Sequence, residues 1–200
     1  MPKLGMEPIR RNALVEAAIH EIGQRGTLEV TVSQIARRAG MSTALAHHYF
    51  GSKEQMFGAA MRHVLTLYGA QVRGALVMAD TPRARIEAIV RASFDTMSFR
   101  PDHIAAWMNF YVQAQKSDEA ARRLNVYQRR LRSNLHHAFR QIAPDSARTL
   151  TRGVAAMIDG LYIRHALGAG GLRPEASISV LMHYIDLGLQ EAVIKEERTE

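Results

Sequence analysis

Cysteine is missing from this 200-residue chain, which rules out disulfides, thiolate zinc sites and cysteine nucleophiles together. Long apolar runs are missing too: nothing approaches the roughly 20 residues needed to cross a bilayer. The opening MPKLGMEPIRRN lacks the apolar core of a secretory signal, so a cytoplasmic protein with no membrane partner is expected. Enzyme signatures are equally scarce. No GxSxG, HExxH or GxGxxG run occurs, and the GSKE at Gly51 lacks the upstream glycine of a phosphate loop. The nine histidines offer no metal set, because His47 with His48 and His136 with His137 are adjacent and diverge on a helix. Catalysis, a bound metal and a resident cofactor are therefore not expected. A membrane-surface protein would need a terminal helix with an apolar face opposite a basic one, and neither end has it.

Acidic residues are in deficit. Lys and Arg number 26 against 19 Asp and Glu, a formal charge of +7, and the pI is near 10.1. That balance favours anionic partners such as nucleic acid. The excess is not concentrated at the amino terminus: up to Ala60 seven basic residues face five acids. The densest basic run comes later, with Arg122, Arg123, Arg129, Arg130, Arg132 and Arg140 uninterrupted by any acid. It reads as a solvated helix face or as a second nucleic-acid surface. With 47% hydrophobic and 22% charged residues, the composition is that of a folded globule.

Hydrophobic spacing is helical throughout, so an all-α fold of about nine helices is expected. A first helix over about Glu7 to Arg25 carries Leu14, Val15, Ala18 and Ile22 and closes at Gly26. Residues 31 to 57, TVSQIARRAGMSTALAHHYFGSKEQMF, then read as two short helices joined by a tight turn, with a longer helix behind them. Thr31 and Gln34 form a capping box, and Val32, Ile35, Ala36 and Ala39 make one face. Gly40 ends the helix, because glycine takes positive φ without a Cβ clash. Ser42 caps the next, in which Leu45 and Phe50 point inward and Thr43, Ala44, His47, His48 and Tyr49 stay largely free. A short helix with small, hydrogen-bonding outward residues suits a major groove. Arg37, Arg38 and Lys53 have no acidic neighbour between Thr31 and Lys53.

Ser52 and Gln55 cap a helix running to about Met78 through Phe57, Met61, Val64 and Tyr68. It would link a head, residues 1–60, to a body, residues 61–200. Thr81 and Pro82 start the next helix, with Ile86, Val90, Phe94 and Met97 buried. Pro101 and Asp102 punctuate the chain, and further helices span about His103 to Gln115 and about Asp118 to Ile142, then a segment after Pro144 to Leu167, and a last one after the GAGG run and Pro174 to about Lys195, before a frayed EERTE end. The last two carry Val154, Met157, Ile158, Leu161 and Ile163, and Ile178, Leu181, Met182, Ile185 and Leu189, a wider apolar surface than one core contact needs. Intrachain core and a dimer bundle are both open readings.

Trp107, the only tryptophan, stands at i with Phe110 and Tyr111 at i+3 and i+4, and Tyr162 lies three residues beyond Asp159. Aromatics at this spacing are either core or a cage. Rings beside a carboxylate fit a quaternary ammonium, which lies over π faces and asks for no hydrogen-bond donor.

The run from about Arg10 to Met61 resembles the amino-terminal domain of the tetracycline-repressor (TetR) family, in the pattern T-x-x-x-I-A-x-x-A-G-x-S followed by Y-F-x-x-K-E. Those positions are Thr31, Ile35, Ala36, Ala39, Gly40, Ser42, Tyr49, Phe50, Lys53 and Glu54. The resemblance implies a DNA-binding repressor that grips double-stranded operator DNA as a homodimer paired through its last two helices. DNA-facing positions would be Thr31, Arg37, Ser42, Thr43, Ala44, His47, His48, Tyr49 and Lys53. The chain departs from the pattern at Thr43, Ala44 and His47, where many members carry lysine, glycine and an aromatic. The opening MPKLGMEPIRR and the IARRAGMST, HYF, AWMNFY and AAMIDGLYIR strings are similar to one branch of the family. That branch represses choline uptake and synthesis of glycine betaine, an osmoprotectant, until choline binds. Choline would then be the effector, held by Trp107, Phe110, Tyr111 and Tyr162 with Asp159 or Asp95 as counter-charge. The alternative is a TetR-like repressor answering another cationic or hydrophobic small molecule.

Overall fold

Caps and left-handed glycines cut the chain into helices where the local chemistry requires it. The computed structural model describes residues 5–95, 100–167 and 173–198. Among them stand nine α-helices and no strand: α1 (Met6–Arg25), α2 (Val32–Arg38), α3 (Thr43–Phe50), α4 (Lys53–Val77), α5 (Pro82–Ser93), α6 (Pro101–Ala114), α7 (Asp118–Phe139), α8 (Ala147–Ala166) and α9 (Pro174–Glu197). The expected all-α class is observed. Met97, the GAGG run and the chain's last two residues lie outside the described residues.

Two helix boundaries and the packing of the short helices differ from the sequence reading. Helix α6 starts at Pro101, because proline at the first helical position loses no hydrogen bond and presets φ. Pro101 and Asp102 are thus its first turn rather than the break before it. Helix α7 stops at Phe139, and its last carbonyls are taken up in tight turns, Ala143 N–H bonding Phe139 O at 2.8 Å. In α3 the fully buried residue is Ala46, with Leu45 only half-buried, and Ala39 at the end of α2 is half-buried as well.

Compactness divides the chain into two units. The first comprises residues up to Thr66 with Arg100–Leu124, and the second Leu67–Phe99 with Asn125 onward. Relative to a head ending near residue 60, α6 therefore groups with the amino-terminal helices. Helix α4 contributes residues to both units.

In the first unit α1, α2, α3, α6 and the start of α4 bury Leu14, Ile22, Ile35, Ala46, Met56, Met61, Ile104 and Phe110. Helices α1 and α6 touch backbone to backbone, since a Cβ built at Gly23 would stand 2.4 Å from Asp102 Cα. Beside that crossing the buried Asp102 carboxylate accepts from Arg100 at 2.9 Å and lies 3.3 Å from His20 Nδ1. Burial pushes its pKa up, but Arg100, His103 and His20 together outweigh this and hold the group below its usual value.

In the second unit Ile86, Val90, Leu135, Phe139, Val154, Ile158, Leu181 and Ile185 form the core. Helices α8 and α9 approach closely through two glycines. A Cβ at Gly153 would meet the Tyr184 hydroxyl at 2.3 Å, and one at Gly188 would meet Leu150 at 2.4 Å. Arg83 on α5 pairs with Asp186 on α9 at 2.5 Å. Ile163, Val180, Leu187, Val193 and Ile194 on α8 and α9 are left exposed. Among the described residues no helix is long and apolar enough to cross a membrane.

Candidate functional site

The α2–turn–α3 unit is built by local hydrogen bonds. The Thr31 hydroxyl accepts from Gln34 N–H at 3.2 Å while Gln34 Oε1 accepts from Thr31 N–H at 2.8 Å. Gly40, at φ 66°, reverses the chain, and Met41 N–H bonds the Ala36 carbonyl at 2.9 Å. The Ser42 hydroxyl then accepts from Leu45 N–H at 3.2 Å. Both cap hydroxyls act here as acceptors, so each O–H is free to donate elsewhere.

Helix α3 exposes Thr43, Ala44, His47 and His48, with Thr31, Arg37 and Ser42 also exposed. Lys53 is half-buried, its ammonium 5.3 Å from the Phe57 ring centre. Tyr49 is half-buried rather than free, because Arg11 lies over it at 5.6 Å and over Phe50 at 5.3 Å. His47 Nδ1 sits 3.0 Å from the Gly51 carbonyl. A carbonyl only accepts, so Nδ1 carries the proton, and Nε2 of the neutral ring is left as an acceptor. Arg38, acid-free in its own segment, bonds Glu21 of α1 at 2.5 Å, and Arg25 bonds the same carboxylate at 3.3 Å. The Arg38 hydrogen bond, opposed by burial and helped by Arg25, keeps Glu21 below the ordinary carboxylate value. Arg38 thus ties α2 to α1.

The aromatic candidates divide between the units. Trp107, Phe110 and Tyr111 belong to the first. Trp107 meets Tyr111 edge to face at 5.4 Å, whereas Phe110 lines a 240 Å³ pocket with Leu28, Phe57 and Met61. Asp95, Asp159 and Tyr162 belong to the second. There Tyr162 stacks on Phe94 at 5.5 Å and its hydroxyl donates to the Ser93 carbonyl, while Tyr68 meets Tyr127 edge to face at 5.2 Å. The Ser93 hydroxyl donates to the Ile89 carbonyl at 2.9 Å, so the contact of 3.1 Å between it and Tyr68 is a hydrogen bond given by Tyr68. Burial and then the nearby negative charge of Asp159, opposed by the Ser93 and Tyr127 bonds, push the Tyr68 phenol up to about 12. It stays neutral. Gln71 donates to Asp95 at 3.0 Å.

Within the second unit, four rings, Tyr68, Phe94, Tyr127 and Tyr162, are thus linked through these contacts, with Asp159 and Asp95 beside them. Sequence spacing made Tyr68 and Phe94 core and passed over Tyr127. No linear signal joins them, since they come from α4, the end of α5, α7 and α8. Among the described residues no group of three or more His, Asp or Glu could hold a metal ion.

A capped helix–turn–helix ahead of a helical remainder defines a DNA-binding transcription regulator. Residues 14–60 match the model of bacterial regulatory proteins of the tetR family, and residues 82–190 match that of the BetI-type transcriptional repressor, C-terminal. The chain is 50% identical over 190 residues to the HTH-type transcriptional regulator BetI of Brucella melitensis biotype 2 (strain ATCC 23457), covering 94% of this chain and 96% of that one. The BetI regulator of Rhizobium meliloti (strain 1021) is 50% identical over 191 residues, covering 95% and 94%. A transcriptional regulator from Pseudomonas aeruginosa PAO1 has the same fold at a TM-score of 0.80 and 23% identity, covering 95% of this chain and 94% of that one. One from Saccharomonospora viridis, solved in complex with choline, aligns at 0.76 and 22%, covering 90% and 95%. The chain belongs to the TetR family, with a BetI-type carboxy-terminal domain. It is a transcriptional repressor of that kind, and its relatives are regulators rather than enzymes.

Proposed function

We propose that the protein represses genes for choline uptake and for oxidation of choline to glycine betaine, and that choline relieves the repression. The second unit's ring cluster carries this reading. Tyr68, Phe94, Tyr127 and Tyr162 offer π faces, and Asp159 and Asp95 offer negative charge, the combination that recognises a quaternary ammonium. Each ring contact is worth about 0.5–2 kcal/mol. Trp107, Phe110 and Tyr111 are further candidates. The choline complex of the Saccharomonospora viridis regulator supports the same effector class.

The DNA-facing set is Thr31, Arg37, Ser42, Thr43, Ala44, His47, His48, Tyr49 and Lys53. A palindromic operator requires a two-fold reader with its recognition helices roughly 34–36 Å apart. The apolar residues left exposed on α8 and α9 support pairing through those helices. Tyr68 and Gln71 lie on α4, whose first residue is Lys53, so choline at the cluster acts on the helix that leaves the reading head. A difference of about 1–3 kcal/mol in choline affinity between DNA-competent and DNA-incompetent states weakens operator binding about 5–150-fold. The repressor works in the cytoplasm, where its operator is. Footprinting on the DNA upstream of its own gene, with and without choline across a salt series, tests the reading. Protection that choline lifts is expected; protection unchanged at saturating choline rejects choline as effector.

A further inference from the structure

Between Ala120 and Ile158 the chain carries eight arginines and one acid, Asp145. Four of these arginines converge. Arg129, Arg132, Ser133 and His136 recur on one face of α7, Arg148, Thr151 and Arg152 on one face of α8, and the two rows line a single groove of 380 Å³. Other arginines of the molecule, including Arg11, Arg25, Arg38, Arg83, Arg91, Arg100 and Arg123, have a carboxylate within ion-pair distance. Among the described residues no carboxylate pairs with Arg129, Arg132, Arg148 or Arg152. Their positive charge is concentrated and uncompensated.

The groove also contains an unsatisfied polar group. Thr151 is 5% exposed, and among the described residues its hydroxyl has no hydrogen-bond partner. A helical threonine ordinarily bonds a carbonyl in the preceding turn. A buried hydroxyl left unpaired is costly, and it makes sense where a ligand atom completes it.

We propose that the groove binds a small, multiply charged anion of the phosphate-ester or polycarboxylate class. The four guanidinium groups, which match such oxygens in bidentate geometry, neutralise its charge. The Thr151 hydroxyl donates to one anion oxygen, and Ser133 and His136 supply further polar contacts. A site for an anion is the electrostatic opposite of a ring cluster for a cation. It gives the repressor a second input, distinct from choline.

Titration calorimetry with pyrophosphate and with citrate, on the full chain in low-salt buffer, tests this. Saturable binding is expected for at least one of them. It weakens about tenfold or more for each of Arg132→Gln and Arg148→Gln, the size of one charge-assisted hydrogen bond. Thr151→Val, which keeps the shape, is expected to weaken binding while leaving the ligand-free melting temperature unchanged or higher. Operator affinity without ligand stays that of the parent in all three. No saturable binding of either anion, or equal binding by the variants, overturns the proposal. So does loss of affinity for random-sequence duplex DNA in the arginine variants with no anion binding by the parent, which would make the groove a DNA-backbone contact.

Discussion

Gly23 and Asp102 meet so closely that the crossing of α1 and α6 has no room for a methyl group. Substituting Gly23 by Ala puts a Cβ into backbone, which no rotamer change relieves. The variant should lose about 1–3 kcal/mol of stability, typical of overpacking, read from denaturant midpoints. An unchanged midpoint would mean that α1 and α6 slide freely past each other.

The same region sets the acid response. Glu21 and Asp102 are held below their ordinary values of 4.5 and 3.8, so their contribution is present above those values and is lost as pH falls through the lower folded ones. Burial, against the pull of Asp102, also holds His103 below 6.5. The unfolded chain therefore binds a proton first, and stability begins to fall already as pH drops below 6.5. Thermal melts across pH should show this early decline, and His103→Gln should flatten it while leaving the later carboxylate-driven fall. An unaltered profile would show that His103 titrates alike folded and unfolded.

At the reading head, His47 presents Nε2 as an acceptor because Nδ1 is engaged by Gly51. Replacing His47 by Ala should relax base preference at one operator position by about 1–3 kcal/mol. Arg37→Ala should instead weaken all duplexes alike and lower the salt slope by about 1. Binding measured on an operator substitution series across salt separates the two, and a uniform loss for His47→Ala would make that ring a positioning group.

In the effector cluster, Phe94→Leu and Asp159→Asn should each weaken choline binding with operator affinity kept. For Phe94→Leu the loss is about 2–30-fold, one cation–π contact of about 0.5–2 kcal/mol. Tyr162→Phe retains the ring and loses the hydroxyl that bonds the Ser93 carbonyl. Its effect should be smaller than that of Phe94→Leu. Calorimetry with choline decides, and unchanged affinity in Phe94→Leu would reduce the stack to core.

What the sequence disclosed was local. Thr31, Gln34, Gly40, Ser42 and Gly51 act within four residues of themselves, so the helix–turn–helix and its caps were readable one turn at a time. Pro101 misled because proline both breaks helices and begins them, and its neighbours do not decide between the two. The Arg38–Glu21 pair spans 17 positions, so an arginine with no acid in its own stretch of sequence is paired from outside it. Distance along the chain also hid the ring cluster: Tyr162 bonds a carbonyl 69 residues away, and hydrophobic spacing on one helix says nothing about rings on another. For the same reason the arginines of α7 read as a solvated face or a nucleic-acid surface, and α8 as an apolar one, until arginines of both lined one groove.

Reciprocity gives the most direct test of a switch between ring cluster and reading head. If choline weakens operator binding by some factor, the operator must weaken choline binding by the same factor. Choline affinity measured by calorimetry on the free protein and on its operator complex should therefore differ by the ratio of operator affinities without and with choline. Equal choline affinity in both states would contradict the switch.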